Sequence, residues 1–223
     1  MKKLIIGICI IAFLLIGFFV FTKYSNNRTD KWKDKIEKLN TNKTIQNGDI
    51  IFQTSLSDQS KAIQKATNSK YSHCGIIFEE NNKFYVLEAI QSVKSTPLEK
   101  WMKRGKDEHY VGKRLKNSPE ILTTDVLKEM KQIGNEFLGK NYDLTFEWSD
   151  EKIYCSELIW KIYKRTTGLE IGKLEKLGDF DLENETVKAK LKERYGDKIP
   201  LDEIVISPES IFQSNLLMTI DKN

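Results

Sequence analysis

A chain of 223 residues, 39% hydrophobic and 30% charged, is long enough for one domain with a sizeable core. Its formal net charge of +4 falls to +2 once Lys2 and Lys3 are set aside, and the rest is evenly spread. That leaves no electrostatic footprint for nucleic acid.

From Leu4 to Phe21, eighteen apolar residues follow one another behind Lys2 and Lys3. As a helix they rise about 27 Å, close to the hydrocarbon thickness of a bilayer. No A-x-A cleavage pattern follows, and Ile8 beside Cys9 disfavours a lipoprotein site, so residues 1–23 read as an uncleaved transmembrane anchor. An apolar segment this near the N-terminus acts as an export signal. The expectation is a single-pass protein of the cell membrane with its body outside, although Lys23, Arg28, Lys31, Lys33 and Lys35 crowd the distal side. These lysines form either a solvated linker or a contact with anionic headgroups. Within residues 24–43, Trp32, Ile36 and Leu39 lie at i, i+4, i+7, the spacing of a short amphipathic juxtamembrane helix.

The domain is expected to start near residue 44 and run to 217, with 218–223 as a tail. GDIIFQTS opens it with a turn and an apolar run. SKAIQKAT (60–67) reads as a brief helix. YSHCGIIFEENNKFYVLEAI (71–90) reads as a β-hairpin turning at Asn81-Asn82. PLEKWMKR then starts a helix at Pro97, and HYVGKRL (109–115) suggests a strand. A helix spans Thr124 to Leu138, and another runs from Cys155 toward Gly168. Residues 169–200 are charge-rich, with KAKLKERYGDK reading as a solvated helix closed by Gly196, and PESIFQS (208–214) starts a last helix at Pro208. Strands with segregated helices make an α+β domain.

The chemistry gathers in the hairpin and the Cys155 helix. If Glu80 pairs with Lys83, Gly75 lies opposite Glu88 and His73 opposite Ile90, all on one face. His73 and Glu88 are then diagonal neighbours within side-chain reach, with no side chain at Gly75 between them. A carboxylate in an apolar row needs a partner, and the imidazole supplies it. Cys155 tops a stripe of Leu158, Ile159, Ile162 and Thr166 at the mouth of its helix. There a thiol is either a small core hydrophobe or a thiolate nucleophile. A Cys74–Cys155 disulfide is the structural rival, and the strand alternation opposes it: if Cys155 faces His73, Cys74 points away. The same alternation prevents His73 and Cys74 from gripping one ion. With no C-x-x-C or H-E-x-x-H, neither a metal site nor a cofactor is expected. His109, beside Asp107 and Glu108, reads as solvent-exposed.

As a set, Cys155, His73 and Glu88 divide the work of a cysteine hydrolase. The thiolate attacks a carbonyl, the imidazole protonates the leaving group, and the carboxylate orients the imidazole. In their order along the chain, GDIIFQTS, YSHCGIIFEENNKFYVLEAI, PLEKW, NYDLTF, YCSELIWKIY, GDFDLENE and ISPESIF resemble YiiX-like proteins, which are circularly permuted NlpC-type, papain-like cysteine amidases. The resemblance covers roughly residues 44–217. It implies a permuted papain-like domain with an antiparallel sheet and packed helices, preceded here by one transmembrane helix. It also implies Cys155 as nucleophile with His73 and Glu88, and a site-lining tyrosine at Tyr142, with Tyr154 as its rival. Tyr142-Asp143 is alternatively a capping corner for the Cys155 helix. The implied substrate is a peptide or amide, above all in cell-wall peptides. Lipid-acyl hydrolysis or transfer on the same three residues, and a silent module binding wall peptides or partners, are the alternatives.

Overall fold

A computed structural model describes residues 2–41 and 44–222, except for the side chains of 2–13, 24, 26–29, 40 and 41. The chain forms two compact units, 1–43 and 44–223. The first is a single helix, α1 (Lys2–Thr41), in which the expected anchor and juxtamembrane helix run on without a break at residue 23. The expected anchor as far as Phe13 lies outside the described side chains. Among the described residues no helix is long and apolar enough to cross a membrane. From Leu14 to Phe21, however, every large apolar side chain is exposed, by 61 to 72%.

The second unit is α+β. Its strands are β1 (Ile50–Gln53), β2 (His73–Glu80), β3 (Lys83–Ala89), β4 (Val93–Pro97), β5 (Tyr110–Leu115) and, after two short strands described below, β8 (Leu217–Lys222). They form one antiparallel sheet in the order β4-β3-β2-β1-β5-β8. Residues 217–222, expected as the domain's end and a loose tail, pair with β5 as the edge strand. Their polar alternation, MTIDK, hides an edge strand from a reading based on apolar runs. The helices are α2 (Asp58–Ala66), α3 (Leu98–Arg104), α4 (Ser118–Ile121), α5 (Thr124–Glu136), α6 (Cys155–Thr167), α7 (Glu185–Tyr195) and α8 (Pro208–Phe212). Two-residue strands β6 (Glu175–Lys176) and β7 (Ile204–Val205) pair with each other.

The hairpin adopts the register expected of it. Glu80 pairs with Lys83 and Ile76 with Leu87. Asn81 and Asn82 both take positive φ, 50° and 58°, as a type I′ turn requires and asparagine tolerates. Gly75 is needed for a different reason, because a Cβ there would stand 2.4 Å from Val86 Cγ1 and 2.8 Å from the Leu87 carbonyl oxygen.

One face of the sheet, carrying Phe52, Cys74, Ile76 and Leu87, shares a core with Met130 of α5 and with Leu158, Ile159 and Ile162 of α6. Each fully buried aliphatic side chain contributes about 1.5–3 kcal/mol, so the apolar stripe fixes α6 against β2. The helix ends at Gly168, whose φ of 74° closes it in the left-handed region. The opposite face carries His73 and Glu88 and is met by α3 through Trp101. The helix expected in the charged stretch forms as α7 and closes at Gly196, but it is only partly solvated: Val187 and Leu191 are buried with Leu177, against Ala66 of α2.

Candidate active site

Glu88 is fully buried on β3 and gathers four donors. Its Oε2 accepts from His73 Nε2–H at 2.6 Å, Trp101 Nε1–H at 2.9 Å and Arg104 Nη2–H at 2.5 Å, while Oε1 accepts from the Thr96 hydroxyl at 2.6 Å. A buried carboxylate would be costly alone, and here both oxygens accept hydrogen bonds. Burial pushes its pKa up, but His73 and then Arg104 and Thr96 outweigh burial and hold it at about 2. The Trp101 ring stacks on the imidazole, with centroids 5.9 Å apart and planes inclined by 25°.

With Nε2 committed to Glu88, Nδ1 is the nitrogen that meets the Cys155 thiol, the direct partner of His73. Burial disfavours the charged imidazole, yet contact with Cys155 and then with Glu88 raises His73 to about 9. Cys155 is the first residue of α6, behind Tyr154 at the N-cap, and is only 2% exposed. Its pKa lies well below the ordinary thiol value. The Cys74 thiol is the largest cause; burial opposes it, and His73 and the Cys74 backbone N–H add to the lowering. Cys74 is correspondingly pushed well up, by burial and by Cys155. Of the two cysteines, only Cys155 has both an imidazole partner and a helix N-terminus, so it carries the charge.

This corrects the expected facing of Cys74. Strand alternation holds, and Cys74 does point away from the His73 face, but α6 packs on the Cys74 face. His73 reaches Cys155 from the first residue of β2, so both neighbours meet the sulfur. Cys74 and Cys155 are both free thiols. His109 is also corrected: it is half-buried and stacks on Tyr71 at 6.2 Å rather than standing in solvent.

Tyr142 and Tyr154 occupy different roles. Tyr142 lies beside Cys155, and its hydroxyl accepts from Gln59 Nε2–H at 2.9 Å. Burial and the Cys155 thiolate push its pKa up. Tyr154 presents its ring to the same cavity, but its hydroxyl accepts from the Ile206 backbone N–H at 3.0 Å and is spent on structure. Asp143 accepts from the Thr145 N–H and hydroxyl, both at 2.8 Å, so Tyr142-Asp143 makes a local turn rather than a cap for α6. The cap is completed by Glu157, whose Oε2 accepts from Tyr154 N–H at 3.4 Å and whose Oε1 pairs with Lys161 at 2.7 Å. Burial raises Glu157 to about 7 against the pull of Lys161.

Sequence reasoning overlooked Thr96, Trp101 and Arg104. The signal was present: a buried carboxylate needs donors, and Trp101 and Arg104 recur at i, i+3 on a helix leaving the neighbouring strand. Thr96 required knowing that β4 exists, two residues beyond the Glu88–Lys94 pair. Among the described residues no group of three or more His, Cys, Asp or Glu side chains is arranged to hold a metal ion.

Comparison with known proteins agrees with this geometry. Residues 44–221 match the family described as permuted papain-like amidase enzymes, YaeF/YiiX, C92 family. Over 177 residues the chain is 46% identical to the uncharacterized protein YiiX of Escherichia coli strain K12, covering 79% of this chain and 86% of that one. A crystal structure described as metalloprotein yiiX from Escherichia coli O157:H7 superposes with a TM-score of 0.77 at 47% identity, covering 81% of this chain and 98% of that one. With the histidine strand preceding the cysteine helix and nearly all of the second unit matched, the chain belongs to the YaeF/YiiX family of permuted papain-like amidases.

Proposed function

We propose that the protein is a membrane-anchored cysteine hydrolase that cleaves an amide bond with Cys155 as nucleophile, His73 as acid and base, and Glu88 as the orienting carboxylate. One observation carries this reading: a buried thiol with a lowered pKa meets an imidazole whose other nitrogen is fixed 2.6 Å from a carboxylate. The thiolate attacks the carbonyl carbon, and the unpaired N–H groups of the first turn of α6 stabilise the oxyanion. Tyr142 accepts from Gln59, which leaves its own O–H to donate to the same oxygen. The His73 imidazolium protonates the leaving amine as the C–N bond breaks. Water, deprotonated by His73, then hydrolyses the thioester and restores the thiolate.

Anchoring is supported by the unbroken apolar run from Leu4 to Phe21 and by the exposure of its side chains from Leu14 onward. With the body outside the membrane, the amide would belong to the cell wall or the membrane surface. The description of the E. coli structure as a metalloprotein suggests no step here. Both Glu88 oxygens are already engaged with Thr96, His73, Trp101 and Arg104, so the role assigned to this carboxylate is to orient the imidazole.

The test is turnover of a panel of wall-peptide amides and N-acyl amides by the purified protein, with the acyl-enzyme sought on the Cys155 peptide by mass spectrometry. Wild type is expected to cleave members of the panel and Cys155→Ala none. Equal binding by both proteins without turnover by either would replace the hydrolase with a binding module.

A further inference from the structure

Cys74 and Cys155 meet thiol to thiol where β2 packs on α6. Both are free and share one buried core, with Cys74 fully enclosed and Cys155 2% exposed. The Cys155 sulfur accepts from the Cys74 thiol and from the Cys74 backbone N–H, with His73 as its other donor. Such a contact is what two cysteines need if they are to be bridged without moving the backbone. It is fixed by the close packing of Phe52 and Ile76 against Leu158 and Ile159 in the same core. The hydrolytic cycle makes no covalent use of Cys74: Cys155, His73 and Glu88 carry out every step of it.

The two sulfurs differ in state and in access. Cys155 carries the charge, and the thiolate is the form that peroxides oxidise. It also borders a cavity of about 90 Å³, several times the roughly 10–15 Å³ that a single water needs, so a small hydroperoxide can reach it. Cys74 is not among the walls of that cavity, so oxidation starts at Cys155. We propose that Cys74 is a resolving cysteine: a hydroperoxide oxidises Cys155, and Cys74 converts the product to a Cys74–Cys155 disulfide that reversibly silences the site. In the first step the Cys155 sulfur attacks a peroxide oxygen and the O–O bond breaks. With the proton of the His73 imidazolium, hydrogen peroxide then gives the Cys155 sulfenic acid and one water. In the second step the Cys74 sulfur attacks the Cys155 sulfur, the S–O bond breaks, and the Cys74 proton leaves with the hydroxide as a second water. The two electrons lost by the sulfurs are those that reduce the peroxide. Without Cys74 the sulfenic acid goes on to sulfinic acid, which thiols do not reverse. The inference rests on the Cys155–His73 ion pair of the proposed function and adds a control on it.

The experiment exposes the full-length protein to a small molar excess of hydrogen peroxide and maps its peptides without reduction, beside iodoacetamide labelling of Cys155. Wild type is expected to yield a linked Cys74–Cys155 peptide pair, lighter by two hydrogens than its halves. Labelling of Cys155 should be lost as the link forms and return with dithiothreitol. Cys74→Ala is expected to give no link, to accumulate sulfinic acid on Cys155, and to regain little labelling on reduction. Cys74→Ser, which keeps the size but not the redox chemistry, serves if Cys74→Ala does not fold. A wild type that forms no link, and whose Cys155 reaches sulfinic acid as fast as in the variants, would overturn the resolving role and leave the ion pair standing. So would a Cys155 that iodoacetamide labels and peroxide leaves untouched. A Cys155 inert to both reagents would sink the nucleophile as well.

Discussion

Glu88→Gln tests the electrostatic core of the site with little change of shape. The amide oxygen can still accept from His73, Trp101 and Arg104, and the amide nitrogen can donate to the Thr96 hydroxyl, so mainly the charge is lost. Two unit charges about 4 Å apart interact by about 4 kcal/mol at an effective dielectric near 20, equivalent to roughly three pKa units. Removing that attraction lowers His73 from about 9, and the thiolate's imidazolium partner is weakened. Alkylation of Cys155 at pH 6–7 should therefore slow by one to two orders of magnitude, on the order expected for a lost acid–base partner. The stability effect has a definite sign. A carboxylate held at about 2 in the fold, against 4.5 ordinarily, contributes roughly 3 kcal/mol that is present above pH 4.5 and lost as pH falls through about 2. Urea unfolding should show Glu88→Gln weaker by about that amount at pH 7, with the gap closing in acid. Wild-type alkylation at pH 6, together with a stability gap independent of pH, would refute the reasoning.

Three further substitutions probe separate links. Gly75→Ala would place a methyl 2.4 Å from Val86 Cγ1, and should cost about 1–3 kcal/mol in urea titration; an unchanged midpoint would contradict the close approach. Cys74→Ala removes the thiol that most lowers Cys155, so the alkylation midpoint of Cys155 should rise with His73 intact; no movement would leave Cys74 as packing alone. Glu157 is raised to about 7 mainly by burial, so it costs stability progressively as pH rises from 4.5 through 7. Glu157→Gln should therefore gain on wild type as pH rises through that window, and a constant difference across it would count against the assigned shift.

The hairpin was legible because its signals agree: β-branched runs, an Asn-Asn turn and a buried carboxylate that makes sense only in one register. From that register the His73–Glu88 contact followed before any coordinates. The side from which Cys155 approaches did not, because it depends on which sheet face α6 covers, a tertiary choice that the helical stripe leaves open. The edge strand at 217–222 and strand β4 were missed because VKSTP and MTIDK carry no apolar alternation strong enough to announce a strand. The role of 169–200 was hidden for a similar reason. Val187 and Leu191 are two apolar residues in a run of charges, and only the fold shows that they wall a cavity beside Cys155.

The central claim is that Cys155 and His73 form an ion pair at neutral pH. It is tested most directly by the pH dependence of Cys155 alkylation, followed beside Cys74 by peptide mass spectrometry in wild type and in His73→Ala. The account predicts Cys155 reacting well below the ordinary thiol range of about 8.5, Cys74 nearly inert, and the low-pH reactivity abolished by His73→Ala. Two cysteines reacting alike, or a Cys155 profile indifferent to His73, would contradict it and return Cys155 to the core.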